Sequence, residues 1–268
     1  MQEIATPTPY LRAHVTGNTG FLVLDRPDRR NAVTTAMWAG IPDTMNRLAA
    51  QDTVRVIVIA GSGEEAFASG ADVSEFALNR GDAGQARAYE TQNEAALASI
   101  RDAGLPVIAM IHGFCIGGGL AIALACDLRI AAETAVFALP PAKLGLAYPV
   151  AGLRDLLGAV SAATAKDLLF TGRRVAADEA LRMGLVNKVT STAELAATTD
   201  AICAEIAGNA PLSILAAKRA VAAIATTVIP PDQLDELVRL GDACFSSADY
   251  AEGRQAFLEK SKPNFRGI

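Results

Sequence analysis

Residues 54–60, Val-Arg-Val-Ile-Val-Ile-Ala, form an almost unbroken β-branched run that stops at Gly61. A run with apolar residues on both of its alternating sides fits a strand covered on both faces. No other feature limits the chain as much, because such a strand needs a packed layer above and below it. Leu105-Pro106-Val107-Ile108-Ala109-Met110-Ile111 repeats the pattern. Between the two runs, a polar, Ala-rich stretch over about 83–103 reads as a helix.

The rest of the first half follows the same alternation. Residues 11–16 and 20–25 read as strands around Gly17-Asn18, and Asp25-Arg26-Pro27-Asp28 breaks the pattern. Residues 34–50 read as a helix with Met37, Ile41, Met45 and Leu48 on one face. Gly117-Gly118-Gly119 opens another helix, and 127–130 and 135–137 read as short strands. The second half changes character: 150–158, 161–170, 176–182, 192–208, 212–226, 231–246 and 248–259 all read as helices. The expectation is an α/β fold with a core over 1–199 and a helical region over 200–268. Val228-Ile229-Pro230-Pro231 resets the chain direction between two of the helices.

Composition narrows the partners. A net charge of −5 argues against nucleic acid, which asks for a basic face. The 83–103 helix offers only Arg87 and Arg101 as basic residues. The cysteines Cys115, Cys126, Cys203 and Cys244 show no C-x-x-C spacing, and only two histidines accompany them, so no metal site is expected. The opening MQEIATPTPY has no apolar signal core, and no apolar run is long enough to span a membrane. These features point to a soluble protein in a reducing, cytoplasmic setting.

Two loops carry the candidate chemistry. Ala66-Phe67-Ala68-Ser69-Gly70-Ala71-Asp72-Val73 and His112-Gly113-Phe114-Cys115-Ile116-Gly117-Gly118-Gly119 each follow a buried strand and lead into a helix. Small residues let a ligand approach the backbone, and the N–H groups at a helix start are unpaired and lie at its positive end. Facing one point, two such loops make an oxyanion hole. Read alone, a Gly-Gly-Gly before a helix is also a plain tight turn. It fits neither G-x-G-x-x-G nor a P-loop.

Taken together, Leu24-Asp25-Arg26-Pro27, Arg30-Asn31-Ala32, the run from Val54 to Gly61, both loops, Cys126-Asp127, Gly184-Leu185-Val186-Asn187-Lys188-Val189 and Phe257-Leu258-Glu259-Lys260 resemble the enoyl-CoA hydratase/isomerase (crotonase) family over nearly the whole chain. The resemblance implies a crotonase-like spiral of ββα units, a C-terminal helical trimerisation region, and a homotrimer or dimer of trimers. It implies an acyl-CoA thioester as substrate, with CoA entering as part of that substrate and no resident cofactor. By the same resemblance, the N–H groups of Ala71 and Gly118 hold the thioester oxygen, and Ala68 with its neighbours Asp72, Val73 and Ile116 receives the CoA. Arg26 or Arg30 lies near its phosphates, Ala32 belongs to the same CoA-binding set, and Lys260, of this or a neighbouring subunit, approaches the 3′-phosphate. Without the resemblance, Arg26, Arg30 and Lys260 read as surface charge.

The chain departs from the family where a hydratase carries two glutamates. The matching positions are Ala121 and Pro141, and neither residue can move a proton. Tyr148 is the polar side chain left in that region, and 137–148 is similar to the methylmalonyl-CoA decarboxylase branch of the family. The expectations that follow are enolate stabilisation without efficient water addition, decarboxylation as one alternative, and a silent acyl-CoA binder as another. Asp72 reads as a helix cap.

Overall fold

The computed structural model describes residues 1–75, 83–144, 146–224, 236, 239, 243, 247–259, 261 and 263–268. Its strands are β1 (Gln2–Ile4), β2 (Leu11–Thr16), β3 (Thr19–Leu24), β4 (Val56–Gly61), β5 (Ala66–Ala68), β6 (Val107–Ile111), β7 (Phe114–Ile116), β8 (Leu128–Ala132), β9 (Val136–Ala138), β10 (Val175–Ala176) and β11 (Lys188–Thr190). Its helices are α1 (Thr35–Ala49), α2 (Ala83–Arg101), α3 (Gly118–Ala125), α4 (Val150–Ala159), α5 (Ala162–Thr171), α6 (Ala177–Arg182), α7 (Leu195–Ala207), α8 (Pro211–Ile224) and α9 (Ala248–Glu259).

Two sheets result. The larger runs β1-β2-β3-β4-β6-β8-β11 and the smaller β10-β9-β7-β5. The run that opened the argument becomes β4, central in the larger sheet and parallel to both β3 and β6. Its residues from Val56 to Ala60 are all buried, as a strand covered on both faces requires. The chain then winds in turns. Each turn places one strand in the large sheet and the next in the small one: β4 then β5, β6 then β7, β8 then β9. A helix follows the first two pairs directly, so these turns are the expected ββα spiral, and β5, β7 and β9 stack in parallel.

The α1 helix starts where Thr34 Oγ1 accepts the Met37 amide at 3.2 Å. It buries Met37, Trp38, Ile41, Met45 and Leu48. Trp38 and Phe67 are among the largest fully buried side chains; truncating such a residue to alanine costs about 3–5 kcal/mol. The sequence reading left out β1, β5, β7, β10 and β11, and it treated Ala66–Ala68 and Phe114–Ile116 as loop. These strands are three residues or fewer, too short to show a period of two. The division expected at 199/200 falls inside α7, whose Thr199 and Cys203 are buried. Cys203 joins Val56, Val58, Ile108 and Ile130 in the layer behind the large sheet. The expected 231–246 helix, the Pro230-Pro231 pair, Cys244 and Lys260 lie outside the described residues, apart from positions 236, 239 and 243.

Candidate active site

The ends of β5 and β7 carry the two loops, and one residue holds their surroundings in place. Asn31 is fully buried at φ 55°, a left-handed conformation that Asn tolerates better than most residues. Its Nδ2 donates to Ser62 O at 2.9 Å and Ala66 O at 2.7 Å, while Oδ1 accepts the Arg26 amide at 2.9 Å. Three chain segments therefore meet on one carboxamide.

Two residues on, Val33 forms a parallel bridge with Ala71. Val33 N donates to Gly70 O at 2.8 Å and Val33 O accepts Asp72 N at 2.9 Å. Peptide groups alternate in direction along extended chain, so the Ala71 N–H faces away from Val33. Gly118 lies close to that amide. A Cβ built on Gly118 would sit 3.3 Å from Ala71 N and 3.1 Å from the Trp38 ring. A residue's Cβ lies about 2.5 Å from its own nitrogen. The two amide nitrogens are thus no more than about 6 Å apart, a span that one oxygen at hydrogen-bonding distance from each can bridge. Among the described residues neither amide has a backbone acceptor. Gly118 is the first residue of α3, so its N–H is one of the orphans of a helix start, and no side chain caps it.

Close packing holds α3 against β5. A Cβ on Gly119 would come within 2.4 Å of Ala68 O, so only glycine fits there. Behind Gly118, the Trp38 indole donates from Nε1 to Tyr89 Oη of α2 at 3.2 Å.

The carboxylates beside the two amides are engaged. Asp72 Oδ1 accepts from Ser74 Oγ at 2.6 Å and from Ser74 N at 3.0 Å, and Oδ2 pairs with Arg26 Nη1 at 2.8 Å. The Ser74 hydroxyl first, then Arg26, holds the Asp72 carboxyl below the usual carboxylate range. Glu75 Oε2 accepts from Thr35 N at 2.8 Å and Thr35 Oγ1 at 2.7 Å. The structure places Arg26 against Asp72, over the Tyr10 ring, and on Ala32 O at 2.8 Å. Arg30 is exposed, pairs with Glu65 at 2.8 Å and lies over the Phe114 ring at 5.4 Å. Ala68 is buried, Ala32 and Ile116 are half-buried, and Val73 is exposed. Ser69 Oγ donates to Arg29 O at 3.4 Å.

Ala121 stands one turn into α3, its amide bonded to Gly117 O at 2.9 Å, and Pro141 begins the 3-10 turn Pro141–Leu144. Ala71, Ala121 and Tyr148 all pack against the same core. The Tyr148 ring lies over Gly152 of α4, and its hydroxyl is buried with no hydrogen-bond partner among the described residues. Burial first, then the charge of Asp155, pushes the phenol above its ordinary value. Asp155 is itself raised by burial, against the pull of Arg101 at 2.7 Å. Arg101 also pairs with Glu94. Sequence reasoning missed Trp38, Tyr89 and Asp155 as parts of this region, since nothing in their local pattern sets them apart from ordinary core or surface.

Among the described residues no group of three His, Cys, Asp or Glu could hold a metal, and no helix is long and apolar enough to cross a membrane.

Comparison with known proteins agrees with this architecture. The family model for enoyl-CoA hydratase/isomerase matches residues 17–267. The chain is 32% identical over 246 residues to the short-chain-enoyl-CoA hydratase of Clostridium acetobutylicum, covering 92% of this chain and 93% of that one. It is 35% identical over 261 residues to the carnitinyl-CoA dehydratase of Salmonella enteritidis, covering 95% and 98%. The crystal structure of an enoyl-CoA hydratase/carnithine racemase from Magnetospirillum magneticum superposes with a TM-score of 0.91 at 34% identity, over 98% of this chain and 97% of the other. The chain is an enzyme of the enoyl-CoA hydratase/isomerase family.

Proposed function

We propose that the chain takes an acyl-CoA thioester, holds its carbonyl oxygen between the Ala71 and Gly118 amides, and forms the enolate by loss of CO2. The observation that carries this reading is the pair of unpartnered amides no more than about 6 Å apart. The relatives named for enoyl-CoA and carnitinyl-CoA support a CoA thioester as the substrate class.

The choice of reaction follows from what is missing. Water addition needs a general base and acid, and the two family positions for them hold Ala121 and Pro141. Decarboxylation needs no base. In a malonyl-type thioester the bond between Cα and the carboxylate breaks, and its electron pair forms the enolate. CO2 leaves, the new oxyanion rests on two N–H donors, and a proton from water then reaches Cα. Each such donor contributes about 3 kcal/mol to the transition state. Tyr148 suits a donor's role, because a phenol raised above its ordinary value stays protonated and cannot act as a base at neutral pH. It can fix the carboxylate out of the thioester plane before the bond breaks.

The names of the relatives favour a second reading, water addition to an enoyl-CoA. One experiment separates the two. Purified protein is given malonyl-CoA and methylmalonyl-CoA, and CO2 release is followed for wild type and Tyr148→Phe. Wild type should release CO2, and Tyr148→Phe should lower kcat while leaving thioester binding nearly intact. If neither protein releases CO2, or both do so equally fast, decarboxylation assisted by Tyr148 is abandoned. The same reading includes assembly into a trimer or dimer of trimers through the C-terminal region, which mass photometry checks.

A further inference from the structure

Three buried side-chain atoms have no hydrogen-bond partner among the described residues: Tyr148 Oη, His112 Nε2 just after β6, and Oδ1 of the half-buried Asn93 on α2. Native interiors rarely leave such groups unpaired without a reason. The position of Asn93 on its helix suggests one. At about 3.6 residues per turn, Asn93 follows Tyr89 by one turn on the same side. Tyr89 receives the Trp38 indole N–H, and the Trp38 ring touches the Gly118 position. On one flank of Asn93, Gln92 reaches Thr35 O at 3.2 Å and so faces α1. On the other flank, Glu94 and Arg101 face α4, where Arg101 pairs with Asp155. Asn93 thus points between α1 and α4, toward the side of α2 that packs on α3. That helix begins with the Gly118 donor and carries Ala121 one turn later.

Among the described residues no hydrogen bond fixes the Asn93 carboxamide, so a half-turn of its plane presents either the oxygen or the NH2 inward. We infer that Asn93 is a specificity-determining residue that, with its NH2 inward, donates to the carboxylate of a malonyl-type acyl group alongside the Tyr148 hydroxyl. The inference rests on the acyl-CoA reading above. It goes further in assigning the acyl end of the pocket two neutral donors in place of a cation. Neutral donors hold a carboxylate without lowering its charge so far that CO2 cannot leave.

The test reads binding, so it does not depend on turnover. Sulfoacetyl-CoA carries a sulfonate where malonyl-CoA has its carboxylate, and it cannot lose CO2. Butyryl-CoA is the neutral comparison. Both are titrated calorimetrically into wild type, Asn93→Asp and Asn93→Leu. The ratio of the two affinities should move against sulfoacetyl-CoA by at least about tenfold in both variants, the worth of one charge-assisted hydrogen bond. Butyryl-CoA affinity should stay within about twofold. The inference is overturned if the ratio is unchanged in both variants, if both probes weaken equally, or if wild type binds neither probe. Should Asn93→Asp fail to fold, Asn93→Leu decides alone. Failure of the decarboxylation reading is seen separately: wild type then releases no CO2, yet the shift in binding preference between wild type and variants persists.

Discussion

Gly118→Ala separates chemistry from stability. The glycine is the first residue of α3, and no left-handed backbone conformation is required of it. Alanine is therefore allowed there, and its higher helix propensity is worth up to about 1 kcal/mol. Against this, the new methyl would stand 3.1 Å from the Trp38 ring, a tight contact on a side chain fixed by its bond to Tyr89. Overpacking of that size costs about 1–3 kcal/mol. The net change is at most about 3 kcal/mol, several degrees in Tm for a chain of this size. The methyl would also sit 3.3 Å from Ala71 N, in the space an oxygen needs to reach that amide. Losing one oxyanion donor costs about 3 kcal/mol, which is 10²–10³-fold in kcat. The assay pairs thermal denaturation with turnover of whichever acyl-CoA proves to be the substrate. A folded Gly118→Ala variant that turns over at the wild-type rate would show that the two amides do not share an oxygen.

Three further outcomes follow from the same geometry. Crotonyl-CoA hydration, followed by loss of enone absorbance, should be weak or absent, because each missing acid or base is worth roughly 10²–10⁴-fold; a rate near 10³ s⁻¹, the top of the ordinary range, would overturn the assignment of Ala121 and Pro141. Asn31→Ala should destabilise the protein by about 3–5 kcal/mol, since it orphans the Ser62 and Ala66 carbonyls and places a Cβ residue at φ 55° without its local hydrogen bonds; a loss under about 1 kcal/mol in urea titration speaks against that keystone role. His112 is lowered by burial, so its unfolded form binds the proton more readily and stability is lost as pH falls below about 6.5. His112→Gln should therefore flatten the fall in Tm between neutral and mildly acidic pH, and an unchanged slope would clear His112 of that role.

Much of this was readable before folding. The β-branched run at 54–60 announced a doubly covered strand, and the two small-residue loops do come together, Gly118 beside Ala71. The helices of the second half matched their apolar spacing from 150 to 224. The second sheet was not readable, because Ala66–Ala68 and Phe114–Ile116 are too short for periodicity and the first is rich in alanine, a poor strand former. The long-range pairings were hidden for a different reason. Arg26 and Asp72 lie 46 positions apart, Trp38 and Tyr89 lie 51 apart, and only the wound chain makes them neighbours. The family resemblance could suggest that Arg26 approaches a phosphate. It could not show that a carboxylate already sits against it.

In the proposed oxyanion hole, the parallel bridge between Val33 and Ala71 sets what each half tolerates. At position 71 the working atom is a main-chain hydrogen on an unpaired strand edge, so the side chain there is chemically silent. Serine or glycine at 71 leaves the donor in place, and only proline abolishes it. At position 118 the opposite holds: the donor survives almost any substitution, but the first carbon of any side chain enters the space the donor serves. One amide is sensitive to the removal of a hydrogen, the other to the addition of a carbon. A search for reactive side chains passes over both.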